Sequence, residues 1–154
     1  MDFFQSTLFS NIIALVALII AIASFIYTFI VNRPQIDLSD HDVEDLEYHR
    51  DLIKFSFILC NTSSTAIVVK GINLYSDKGI KLLHQEVKTP EKEWLKYPNP
   101  LFSPYSSNPF NKNETFIPEA KIEFSYHLTD KPKVIEIEAN KLIKGFSRKQ
   151  KFIF

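Results

Sequence analysis

From Ile12 to Val31 the chain reads IIALVALIIAIASFIYTFIV without a charged residue, a proline or a glycine. No other feature limits the fold so strongly. At about 1.5 Å of rise per residue, a helix of that length spans roughly 30 Å, the thickness of a bilayer's hydrocarbon layer. In lipid each backbone N–H and C=O must be satisfied within the segment, so the run is predicted to form one continuous transmembrane helix, residues 12–31. Two other readings compete. Ala21-Ile22-Ala23 before Ser24 resembles a signal-peptide cleavage site, but the preceding tail has no Lys or Arg and the apolar run continues past it. A buried globular helix would need an amphipathic pattern that this run lacks.

Ala14, Ala17, Ala21, Ser24 and Thr28 recur at alternating steps of three and four, which places small residues along one helix face. Such a face lets a second helix approach closely, and Ser24 and Thr28 could hydrogen-bond across the contact. The segment is therefore a candidate for pairing with itself or with another membrane protein. The competing account is that Ala and Ser are simply common in membrane helices. Arg33 follows the run and no Lys or Arg precedes it, so positive-inside bias favours the remainder of the chain on the cytoplasmic side of the cell membrane.

Residues 1–33 thus form a tail and anchor, and residues 34–154 have the length of one compact domain. Lys plus Arg and Asp plus Glu both number 18, so total charge implies no nucleic-acid partner. The distribution is uneven. Asp37, Asp40, Asp42, Glu44, Asp45, Glu47 and Asp51 stand against Arg50 alone, while Lys141, Lys144, Arg148, Lys149 and Lys151 end the chain without an acid. Cys60 is the sole cysteine, which excludes an intrachain disulfide. Asn61-Thr62-Ser63 and Asn113-Glu114-Thr115 match the glycosylation pattern, a match that arises often by chance.

Beyond Pro34 the apolar period becomes two. Ile122, Phe124, Tyr126 and Leu128 alternate with polar residues, and Ile53, Phe55, Phe57 and Leu59 form another such set. AIVVKGINLYS and IKLLH flank Asp77-Lys78-Gly79 and read as a hairpin. QIDLS, KVIEIEA and the terminal KFIF complete seven predicted strands. The fold class is therefore mainly β: an N-terminal transmembrane helix followed by one immunoglobulin-like antiparallel β-sandwich, with an eight-stranded barrel as the alternative. Thr89–Leu95 is predicted to make a short helical turn, because Pro90 suits a first helical position and acids follow it. Pro98, Pro100, Pro104 and Pro109 then enforce a loop.

Three scattered glycines exclude a phosphate loop, and no zinc or hydrolase motif occurs, so no catalytic, cofactor-binding or metal-binding residues are expected. Cys60, with His84 and His127 elsewhere in the chain, reads better as a simple semi-buried thiol than as part of a nucleophilic pair. DHDVEDLE lacks the central glycine of a calcium loop and reads as a solvated loop between the first two strands. Leu101, Phe102, Tyr105 and Phe110 lie on the proline-stiffened segment and form the candidate protein contact; the alternative is that these rings fold back and cap the sandwich.

A bare apolar helix, then Arg33-Pro34, then strands such as FSFILCNTSSTAIVVKGINLYS, resembles many small single-pass membrane proteins of bacteria and their phages. Size and layout are similar to prophage superinfection-exclusion proteins. That resemblance implies a non-enzymatic membrane-bound role in hindering the passage of a second phage's DNA, and carries no residue-level correspondence. The alternative is a structural or accessory subunit of a bacterial envelope complex.

Overall fold

The computed structural model describes residues 7–47, 49–88, 103–144 and 147–154. The chain divides into two compact units, Met1–Arg33 and Pro34–Phe154.

The first unit is one helix, α1 (Thr7–Val31), whose Phe9–Ile30 stretch has a mean hydropathy of 2.7 and no buried face. It is long and apolar enough to cross a membrane. It ends where Asn32 N–H reaches Thr28 O (3.1 Å) and Arg33 N–H reaches Ile30 O (3.4 Å). Pro34 prevents another turn, having no N–H and disfavouring helical geometry at the residue before it. The Arg33 guanidinium lies 5.3 Å from the centre of the Phe29 ring, where an aromatic face stabilises a cation.

The second unit is an antiparallel β-sandwich. Its strands are β1 (Ile36–Asp45), β2 (Ile53–Asn61), β3 (Ile67–Tyr75), β4 (Lys81–Leu82), β5 (Glu114–Phe116), β6 (Lys121–Leu128), β7 (Val134–Ala139) and β8 (Lys149–Ile153). One sheet has the order β1-β2-β6 and the other β4-β3-β7-β8. β5 also pairs with β3, and since Val69 pairs with both Glu114 and Ala139, β5 occupies the edge of β3 opposite β7. Lettered in the immunoglobulin manner, these are A-B-E and C′-C-F-G, so the expected class holds at the level of strand order. Two separate sheets replace the barrel alternative.

The core forms because period-two strands turn one face inward. Phe55, Phe57 and Leu59 of β2, with Phe124, Tyr126 and Leu128 of β6, pack against Ile67, Val69 and Leu74 of β3 and Ile135, Ile137 and Ala139 of β7. Phe57 and Tyr126 stack at 5.9 Å with only 5° between their planes. The expected hairpin is present: Gly79 N–H bonds Ser76 O (3.0 Å) and Ser76 N–H bonds Ile80 O (2.9 Å). Gly79 has φ 74°, a left-handed conformation that glycine adopts without cost from a Cβ.

Two sequence expectations require correction. DHDVEDLE is not a loop: Asp40–Asp45 continue β1, paired with Ile58–Ile53 of β2. A bulge between Leu38 and Asp40 shifts the alternation, so Ile36, Leu38 and Val43 still pack on the core while Asp37, Asp40 and Asp42 stay exposed. Among the described residues the strands number eight, since three-residue β5 had no visible period; IKLLH contributes only Lys81–Leu82. The turn expected at Thr89–Leu95 lies outside the described residues.

Candidate interaction surfaces

On α1, Ala14, Ala17, Ala21, Ser24 and Thr28 are all exposed, leaving the small-residue face open. Thr28 Oγ1 donates to Ser24 O at 2.8 Å, so its proton serves its own helix rather than a neighbour. Shape, not a side-chain hydrogen bond from Thr28, is what this face offers a second helix.

The aromatic segment is largely turned inward where it is described. Leu101 and Phe102 lie outside the described residues. Tyr105 is buried at 3 % exposure, its ring 6.1 Å from His49. It is buried and not an exposed contact, as the fold-back alternative has it; Ser106 N–H bonds Ser103 O (3.0 Å) and Tyr105 N–H bonds Ser103 Oγ (3.2 Å) in the turn that carries it. Phe110 is half-buried, edge-on to Phe124 at 6.0 Å, and its N–H donates to Tyr126 Oη at 3.0 Å. Burial pushes the Tyr126 hydroxyl up to about 12, with the Phe110 N–H opposing the shift.

This inward segment completes the edge of β6. Asn108 and Ser125 exchange backbone bonds at 3.1 Å each way, in the place where an immunoglobulin D strand would lie. Next to it, Gln85 N–H bonds His127 O (2.9 Å), while His127 N–H donates to His84 Nδ1 (3.1 Å), an imidazole replacing a strand carbonyl. The fully buried His127 ring places Nε2 3.2 Å from Pro104 O and lies 5.7 Å from the His84 ring. Accepting at Nδ1 requires His84 to be unprotonated there; donating to a carbonyl requires the proton on His127 Nε2.

Burial lowers the pKa of both imidazoles from the ordinary 6.5. The Glu86 carboxylate opposes this at His84. At His127 the Pro104 and Gln85 hydrogen bonds oppose it, while His84 and Lys54 add to it. The folded state therefore binds fewer protons than the unfolded chain below the unfolded value of 6.5. Stability from this pair is complete above that pH and declines as pH falls toward the lowered folded pKa values. Denaturant titration of the full chain in detergent, from about pH 7.5 to pH 5, should show a falling midpoint that flattens in His84→Gln/His127→Gln. An equal fall in that double variant would remove the imidazoles as its cause.

Cys60 is remote from this pair along the strand. It pairs with Lys121, whereas His127 pairs with Lys54 at the opposite end of β2, so thiol and imidazole are not assembled. The imidazole pair itself was unreadable from sequence, because 43 residues separate its members. Asn61, part of a glycosylation pattern, is fully buried, with its amide donating to Thr65 O and Phe116 O at 2.9 Å each. Folding closes that acceptor.

The outer face of β1-β2-β6 is acidic. Asp40, Asp42, Ser56, Ile58 and Glu123 line a depression of ≈ 110 Å³. Asp37, Asp40 and Asp42 each accept the N–H of the next residue at 2.8–2.9 Å, which satisfies donors along an edge strand that has no second neighbour among the described residues. Among the described residues no three His, Cys, Asp or Glu side chains converge as metal ligands would. On the other sheet, Lys149 bridges Glu136 and Glu138 at 3.3 and 3.6 Å, and the Glu136 carboxylate raises its pKa. The Lys149–Glu138 pair, exposed on both sides, contributes little stability.

No protein-family model, curated protein or solved structure matches the chain. Fold and surface alone define its class: a mainly β chain carrying one membrane-length apolar helix and an immunoglobulin-like sandwich.

Proposed function

We propose that this chain is a non-enzymatic, membrane-tethered interaction protein, its sandwich held at the surface of the cell membrane by a single pass of α1. The observation that carries this reading is the Phe9–Ile30 helix, apolar at mean hydropathy 2.7 and unburied throughout. Water would leave that surface solvated at a cost of roughly 25 cal/mol per Å², and a bilayer removes it. The two neighbouring imidazoles are engaged in the fold, His84 Nδ1 and His127 Nε2 both serving main-chain groups. Tethering also concentrates the domain near membrane-embedded partners. Intact chain should remain in the pellet after alkaline carbonate extraction; its full release, uncleaved, would overturn the reading. A shortened chain beginning near Ser24 would identify a signal peptide instead.

The most specific form of this role, drawn from the resemblance in layout, is superinfection exclusion with the sandwich on the cytoplasmic side. Expression of the full chain should then reduce phage DNA uptake without reducing adsorption, and a chain lacking residues 1–33 should not. Equal DNA uptake with and without the full chain would leave the accessory-subunit reading, which requires a fixed partner to copurify in mild detergent.

A further inference from the structure

We infer that the end of the sandwich at which β1 begins is a docking surface for anionic lipid headgroups. The inference rests on α1 being membrane-embedded. Only residues 32–35 separate α1 from β1 in sequence, so a bilayer holding α1 lies within reach of that end.

Three loops open at the same end, as the strand register requires. Ile36 pairs with Asn61, where β2 leaves for β3; Ile67 pairs with Phe116, where β5 leaves for β6; and Ala139, paired with Val69, begins the connection to β8. These loops present two exposed aliphatic side chains, Ile117 (64 %) and Leu142 (38 %). Around them Lys121, Lys141, Lys144 and Arg148 are exposed, opposed by Glu119 and, one residue into β1, Asp37. The other end has no such bias. There Asp45, Glu47, Asp51, Asp77 and Asp130 offset Arg50, Lys78, Lys131 and Lys133.

The loops are also held in place. Glu119 adopts φ 64°, a left-handed conformation uncommon for a residue with a Cβ, and the turn is closed by Ala120 N–H to Ile117 O (3.1 Å) and Glu119 N–H to Asn61 O (2.9 Å). Lys141 Nζ donates to Ala66 O (2.8 Å), joining two of the loops. Asn61 fixes the third through Phe116 O and Thr65 O. A basic surface with aliphatic tips on loops tied by these hydrogen bonds is suited to an anionic interface: the cations face phosphates, and the tips enter the headgroup boundary. Binding there would present the opposite end, with its hairpin, to partners.

The test uses the full chain in lipid nanodiscs, with Cys60→Ser and one environment-sensitive fluorophore on Ile117→Cys, Leu142→Cys or, as control, Asp77→Cys in the distal hairpin. Nitroxide-bearing lipids report contact by quenching. With phosphatidylglycerol present, labels at 117 and 142 should be quenched several-fold more than the label at 77, and Lys144→Glu/Arg148→Glu or high salt should abolish the difference. Equal quenching at all three positions while the chain stays in the discs would overturn the lipid-docking surface alone. A difference unchanged by lipid charge, salt and the double variant would overturn the anionic-headgroup assignment. Loss of the chain from the discs would instead overturn the anchoring on which the inference rests.

Discussion

Placing one arginine at the middle of α1, Ile20→Arg, should transfer the chain from the membrane pellet to the soluble or degraded pool. Ile20 is 61 % exposed in a helix with no buried face, so the substitution disrupts no protein packing. The expected penalty is therefore set by the bilayer: about 2.5–3.5 kcal/mol for Arg at a transmembrane helix centre, or on the order of a hundredfold in the insertion equilibrium constant. Ile80→Arg supplies the control, since Ile80 is equally exposed at 61 % but lies in the β3–β4 hairpin. If α1 is an anchor, only the helix variant leaves the membrane. If both variants fractionate like the parent chain, lipid is not what α1 contacts. Immunoblot size separates failure of insertion, which leaves full-length chain, from failure of signal-peptide processing, which alters the ratio of two lengths.

How much of this architecture can be read in advance depends on whether the physical signal is local. α1 is legible because an unbroken apolar run of membrane-spanning length is a property of contiguous residues. β2 and β6 are legible because Ile53–Leu59 and Ile122–Leu128 keep an uninterrupted period of two. The second half of β1 is not, because the bulge at Ser39 breaks the alternation and the carboxylates of Asp40, Asp42 and Glu44 resemble a solvated loop. Its strand character comes from nine residues of β2 beside it, a tertiary cause. Tyr105 is misplaced for a similar reason. A Pro-rich segment suggests an exposed surface, yet the vacant D-strand edge of β6 pairs with Asn108, and Tyr105 and Phe110 on either side of it turn inward. The His84–His127 contact and the clustering of Ile117, Leu142 and Lys144 at one end depend on strand order, which no local pattern encodes.

The second large effect should appear in the sandwich and leave α1 untouched. Phe57 is 1 % exposed at the middle of β2, with Phe55, Phe124 and Tyr126 rings at 5.5, 5.8 and 5.9 Å. Phe57→Ala removes the ring that joins these neighbours and leaves a cavity, at an expected cost of about 3–5 kcal/mol. A domain of this kind has a total stability of about 5–15 kcal/mol, so the loss is a large fraction of the whole. With Cys60 as the only cysteine, no disulfide limits the unfolded ensemble. Limited proteolysis of the full chain in membranes should therefore cut the Phe57→Ala sandwich at much lower protease while a fragment containing α1 remains in the pellet. Phe57→Leu, which retains most of the volume, should fall between parent and Ala variant. Leu142→Ala, at an exposed loop position, should digest like the parent. The division of the contacts at Arg33 and Pro34 makes this a test of independence as well as of packing. If Phe57→Ala released α1 from the membrane, the helix and the sandwich would be one cooperative unit, and an anchor that acts without its cargo would be the wrong description of residues 1–33.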